Sequence, residues 1–326
     1  KGGDLVDLLD DRGGDAERVR AEVETLTNNT PATTPKPVPI NGAPVTKCMA
    51  DVKPRKVDWL WEGRIPRGRL TLVAGRPGEG KSMATMDWAA RVSTGTPWPL
   101  GGVCPLGSVV LIAGEDDPAD TIRPRLDAHG ADVNKIHLLQ SVLRVDANGK
   151  SSEVMFTLKD VDTLEATLRK VPDCAMVIVD PIGSFIGSDT DGDKDNKVRA
   201  ILDPLTRLAE RTRAAIVIVA HQRKGMATHA DDLVMGSRAF TGICRSVLHV
   251  LADPEDKDRR LLLPGKMNLS RQPEGLAFAI DGDPIRIQWE PEPVKMNADE
   301  LLARQVTGQG EPEAQSVGDW LGRKGG

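Results

Sequence analysis

The chain has 326 residues, 39% hydrophobic and 28% charged, with a formal net charge of −5. That length allows two domains and a sizeable core, and the acidic balance argues against general adhesion to nucleic acid, so any DNA contact has to come from a local basic surface. No apolar run reaches the roughly 18 residues of a membrane span, the four scattered cysteines form no C-x-x-C pair and fit a reducing cytoplasm, and 3% aromatic content without tyrosine makes phosphate contacts a better binding term than base stacking.

Residues 1–25 form a charged amphipathic segment, expected to be the tail of an upstream region of a longer chain. Residues 26–56 are rich in Thr, Pro and Asn, the composition of an extended linker. Across 57–290 strands alternate with helices, which predicts an α/β domain with a mostly parallel central sheet covered on both faces. Its strands are expected at 70–75, 108–114, 136–140, 175–180 and 215–221. Four short strands after about residue 246 (247–251, 260–263, 276–280 and 285–289) are expected as antiparallel additions at a sheet edge. Residues 291–326 read as a linker and the truncated start of a C-terminal helical module around Val317 to Leu321. No internal repeat is visible.

Between the first strand and the helix that follows it, Gly75-Arg76-Pro77-Gly78-Glu79-Gly80-Lys81-Ser82 completes the pattern G-x-x-x-x-G-K-[ST]. Glycines let successive backbone N–H groups turn toward one anion at a helix N-terminus whose dipole already favours negative charge. Lys81 is expected to reach the β and γ phosphates of ATP, and Ser82 to hold Mg²⁺.

The apolar strand ending in Asp180 has the form of a Walker B element, with Asp180 expected beside Ser82 at the metal. Pro181 follows it, so the general base has to come from another strand. Glu115, first after the strand that ends in Gly114, is placed to polarise the attacking water; the competing reading is an acidic helix cap before Pro118, a role that suits Asp117 better. His221 closes another strand and can touch the γ phosphate and report its loss to the loop that follows; the competing reading is a satisfied buried histidine. Arg245 ends a small-residue helix at 236–245 and is placed to reach a neighbouring subunit's γ phosphate, against the competing reading of an intrachain salt bridge. The two loops after Asp180 and His221 carry Lys194, Lys197, Arg223 and Lys224, candidate contacts for DNA phosphates. Asp189-x-Asp191-x-Asp193 has the spacing of a calcium loop but has Ala200 where the twelfth-position Glu belongs, which argues against calcium.

Taken together, 57–290 resembles the RecA-like ATPase domain of the RepA-type hexameric replicative helicases, which are related to the DnaB helicases. The most specific portions are 59–68, 114–117, 221–225 and 236–245, although Arg238 departs from the small or hydroxylic residue expected after Gly236-Ser237. The resemblance implies phosphate and magnesium binding by Lys81 and Ser82, a catalytic base in Glu115, a Walker B carboxylate in Asp180, a γ-phosphate sensor in His221 and a finger acting in trans in Arg245. It further implies a ring, expected to be a hexamer, on single-stranded DNA. Residues 1–9 are similar to the tail of a Toprim primase domain, so a primase in the same chain or complex, from a phage or mobile element, is an expected partner.

Two other functions share these motifs. A RecA-like scaffold that binds DNA in its ATP state, or a recombination ATPase without unwinding activity, needs the same base and finger. A small-molecule kinase shares the phosphate loop but has no use for two loops at the strand ends.

Overall fold

A computed structural model describes residues 15–29, 46–146, 148–187, 195–223, 227–234 and 238–308. Two compact units divide the chain, Lys1–Arg55 and Lys56–Gly326. The first contains helix α1 (Ala16–Asn29) and a 3-10 turn at Met49–Asp51. Among the described residues, no helix is long and apolar enough to cross a membrane.

The second unit opens with a small antiparallel hairpin, β1 (Trp59–Trp61) and β2 (Ile65–Pro66). Strand β3 (Leu70–Gly75) runs into helix α2 (Lys81–Thr94), and β4 (Ser108–Ala113), α3 (Arg123–Ala128) and β5 (Ile136–Leu138) follow. A separate hairpin, β6 (Ser141–Val145) and β7 (Ser151–Met155), precedes α4 (Val161–Lys170), β8 (Cys174–Asp180), α5 (Asp195–Thr212) and β9 (Ala215–His221). Then come α6 (Ala239–Ile243), β10 (Ser246–Ala252), β11 (Arg259–Met267), β12 (Leu276–Asp281), β13 (Arg286–Trp289) and α7 (Ala298–Gly308).

Nine strands form one sheet in the order β13-β12-β11-β10-β3-β9-β8-β4-β5. Every pairing from β10 to β5 is parallel, and the pairings on the other side of β10 are antiparallel. This is the α/β architecture expected from the sequence. The central strands are nearly continuous apolar runs because both faces are covered, and alternate residues serve opposite layers. Leu72, Ala74, Val179 and Ile218 pack with Leu202, Leu205 and Phe240 on one face. On the other, Val73, Val217 and Val219 pack with Met86, Trp88, Trp61 and Trp98. Trp61 and Trp98 are stacked with centroids 4.7 Å apart, and the Trp98 indole donates to the Leu60 carbonyl at 2.9 Å, tying the small hairpin to the α2 face.

The structure corrects the sequence reading in three places. The first of the four late strands is not an antiparallel addition: β10 runs parallel to β3, with Ser246 opposite Thr71 and His249 opposite Ala74. The chain crosses over through α6 before β10 starts, and a crossover rather than a tight hairpin allows parallel pairing. The β6–β7 hairpin was not anticipated, because its strands alternate weakly and are mostly exposed. Within the stretch expected to be a linker, α7 buries Ala298 and Leu301 against Leu261, Leu263 and Ala277. Val317 to Leu321 lie outside the described residues.

Candidate nucleotide site

Parallel strands place their carboxyl ends along one edge of the sheet, where α/β proteins bind ligands. Here that register sets Gly75 beside His221 and Ala113 beside Asp180. A cleft of about 340 Å³ opens over this edge, lined by Pro77, Gly78, Gly80, Lys81, Ser82, Glu115, Asp180 and His221. The sequence-selected residues of four separate strand ends are therefore brought together.

The loop before α2 has its shape because of its glycines. Gly78 and Gly80 have φ of +80° and +91°, a region costly for residues with a Cβ, and a Cβ on Gly80 would stand 2.5 Å from the Ile280 methyl. Arg76 and Pro77 are exposed. Glu79 turns inward: its Oε2 accepts from the Arg76 amide at 2.5 Å, and burial raises its pKa against the opposing effect of the Arg76 and Ala252 amides.

Lys81 is buried, and its Nζ donates to the Arg76 carbonyl at 2.8 Å. Burial lowers its pKa, while the carboxylates of Asp180, Glu79 and Glu115 pull it back up. Asp180 is pushed up to about 6, chiefly by burial; the Ser82 hydroxyl and Lys81 oppose this, and Asp116 and Glu115 add to it. Among the described residues, its buried Oδ2 has no partner, nor has the buried Nδ1 of His221. Burial, then Lys81, lowers the His221 pKa, so its neutral form is favoured. The unpartnered Nδ1 does not fit the competing reading of a satisfied core histidine.

Glu115 is exposed at the mouth of the cleft. The Gly114 amide donates to the Asp180 carbonyl at 3.1 Å, which binds the two strand ends together. Asp117 is the helix cap, accepting from the amides of Ala119 at 2.7 Å and Asp120 at 3.1 Å. Asp116 pairs with Arg125 at 2.6 Å. Of the three acids, Glu115 alone is left directed to no such duty among the described residues.

Arg245 is exposed at the other edge of the sheet. Its amide donates to the carbonyl of Leu70, the first residue of β3, so roughly 17 Å of strand separates it from the phosphate loop. It makes no ion pair among the described residues, and its own cleft is beyond its reach. The preceding helix is shorter than expected, covering Ala239–Ile243, and Gly236 and Ser237 lie outside the described residues. Lys197 is exposed in the first turn of α5, and Arg223 is exposed with its guanidinium on the Asp232 carbonyl at 3.1 Å. Lys194, Lys224 and the aspartates 189, 191 and 193 lie outside the described residues. Among the described residues, no cluster of His, Cys, Asp or Glu has the form of a metal site.

Sequence reasoning missed Arg125, Met83, Met86 and Ile280, all of which line the cleft. Met83 and Met86 follow the phosphate loop by helical spacing and could have been read from it. Ile280 arrives from an antiparallel strand far along the chain, and no local signal marks it.

A glycine-rich loop closing a central parallel strand, with a carboxylate on the next strand but one, defines a P-loop ATPase of the RecA-like class. Residues 35–227, more than half of the chain, match the AAA domain family, and the chain belongs to that family. It is also similar to the DNA repair protein RadA of Mycobacterium tuberculosis, strains CDC 1551 / Oshkosh and ATCC 25618 / H37Rv, with 28% identity over 202 residues covering 61% of this chain and 35% of the relative. The DNA repair protein RadA of Mycolicibacterium smegmatis is 25% identical over 204 residues, 61% of this chain and 36% of the relative. The chain thus spans about a third of the length of the curated relatives it matches.

Proposed function

We propose that this chain is the ATPase core of a ring-forming DNA translocase of the helicase type, which hydrolyses ATP between subunits and moves on single-stranded DNA. The observation that carries this reading is the division of the chemistry. Lys81, Ser82, Glu115, Asp180 and His221 meet at one edge of the sheet, while Arg245, unpaired among the described residues, stands at the other. The arginine that lines the cleft, Arg125, is held by Asp116 at 2.6 Å, so in this reading the arginine that completes the site comes from a neighbouring copy.

In this reading the 75–80 loop amides and Lys81 bind the β and γ phosphates. Ser82 and Asp180 are the oxygen donors that would hold Mg²⁺, and the unpartnered Oδ2 of Asp180 fits that duty. The bound ion supplies neutralisation of phosphate charge. Glu115 accepts a proton from the attacking water, and neutral His221 reads the terminal phosphate. Lys194, Lys197, Arg223 and Lys224 contact DNA phosphates. Residues 1–25 belong to an upstream primase-like region, 26–56 link it to the ATPase domain, and the ring is a hexamer.

The likeness to DNA repair proteins favours a second reading, an ATP-switched DNA-binding ATPase that does not unwind. A forked duplex separates the two. ATP-dependent displacement of one strand supports the motor; ATP-dependent DNA binding without displacement selects the switch. If single-stranded DNA leaves the ATPase rate unchanged and ATP leaves DNA affinity unchanged, both readings fail.

A further inference from the structure

On the face of the sheet opposite α2, a fully buried histidine joins the two ends of the segment that follows the proposed sensor. His249, on β10, has no exposed surface, and each ring nitrogen has its own partner. Nδ1 meets Gln222 Nε2 at 2.7 Å, and Nε2 meets Asp231 Oδ1 at 2.7 Å. With the ring protonated at Nε2, the Gln222 side-chain amide donates to Nδ1 and Nε2–H donates to the carboxylate, so both ring nitrogens are satisfied.

Gln222 immediately follows His221, and its backbone N–H donates to the carbonyl of Gly75, the first residue of the phosphate loop, at 3.0 Å. Asp231 lies on the turn at Ala230–Leu233, and the same stretch returns to pair with the start of the loop. Val234 bridges to Gln222, and the Arg223 amide donates to the Leu233 carbonyl at 2.8 Å. Space for the contact comes from Gly265, where a Cβ would lie 2.6 Å from His249 Nε2 and would also strike Asp231. The second Asp231 oxygen accepts from the Lys266 amide at 3.3 Å, and Lys266 Nζ donates to the carbonyls of Thr241 and Gly242, at the helix just before Arg245.

A buried polar trio of this kind is costly unless every member is paired, so its geometry is shared: a shift of Gln222 must be taken up at His249 or Asp231. We propose that His249, held between Gln222 and Asp231, is a positioning residue that makes the segment 227–234, and with it Arg223, respond to occupancy of the phosphate loop. The inference rests on the reading of the cleft as an ATP site, and it does not require that the segment touch DNA.

Hydrogen exchange of the full chain tests it, with Mg²⁺ and either ADP or a non-hydrolysable ATP analogue. In the parent, amides of 227–234 should exchange about threefold or more slowly with the analogue than with ADP. His249→Ala and Gln222→Ala should abolish that difference while analogue affinity stays within about threefold, and His249→Gln should restore part of it. A purely structural role would instead speed exchange in both nucleotide states and leave the difference intact. Retention of the difference in Gln222→Ala, which disturbs the core least, or its absence from a nucleotide-binding parent, overturns the proposal alone. A parent that binds no nucleotide overturns the ATP-site reading and this inference together.

Discussion

Lys81 and Glu115 share one cleft but face different physical demands. Lys81 is a buried ammonium lining the cleft, and if it binds phosphate as proposed, Lys81→Ala should abolish nucleotide binding together with turnover, read by fluorescent-nucleotide titration. Glu115→Gln keeps the shape but cannot accept a proton. It should bind ATP with near-parental affinity while turnover falls by roughly 10² or more, and an unchanged rate would remove Glu115 from the base role. Asp180 adds a pH signature. Its folded-state pKa of about 6 lies above the ordinary value of about 4, so the folded protein takes up a proton that the unfolded chain has released. Its stabilising contribution is therefore complete below about pH 4 and is lost as pH rises to about 6. Without metal or nucleotide, Asp180→Asn should remove that slope: the variant's melting temperature relative to the parent should rise between pH 4 and 7. A difference that stays flat across this range would mean that Asp180 is not destabilised by burial.

The strand ends were legible in the sequence because each signal is local: an apolar run fixes the strand, and the residue that follows it falls at the carboxyl edge. Glu115 and Asp117 could be told apart in the same way, since Pro118 marks a helix start and Asp117 stands just before it. What local pattern could not give was direction and distance. β10 has the same apolar alternation whether it runs parallel or antiparallel, and only the crossover through α6 decides, so the placement of Arg245 level with Leu70 could not be read from its neighbours in sequence. The trio of Gln222, Asp231 and His249 joins residues from three elements and left no motif. For the loop after β9, salt offers the test. Arg223 is exposed at its start, so if it contacts a DNA phosphate, Arg223→Ala should flatten the slope of log affinity against log salt by about 0.7 on single strands. An unchanged slope would move the DNA surface elsewhere.

The proposed ring makes a test of the distance between the two sheet edges. If Arg245 serves as the proposed finger, its distance from its own cleft means that it acts on a neighbour's, and the defect of Arg245→Ala should belong to the interface. The variant should bind ATP normally but lose hydrolysis by as much as the roughly 10³ to 10⁵ associated with arginine fingers. Mixing distinguishes this from local damage. Lys81→Ala subunits have a disabled cleft and an intact Arg245; Arg245→Ala subunits have the reverse. When the two are combined, each Arg245→Ala cleft that receives an arginine from a Lys81→Ala neighbour should turn over ATP, so activity should appear in the mixture and vary with the mixing ratio, being absent from either variant alone. Because the exchange requires subunits to meet, the recovered rate should also rise with total protein concentration until the assembly is complete. If Arg245→Ala assembles and hydrolyses ATP at the parental rate, the arginine is dispensable and the proposed action in trans loses its residue.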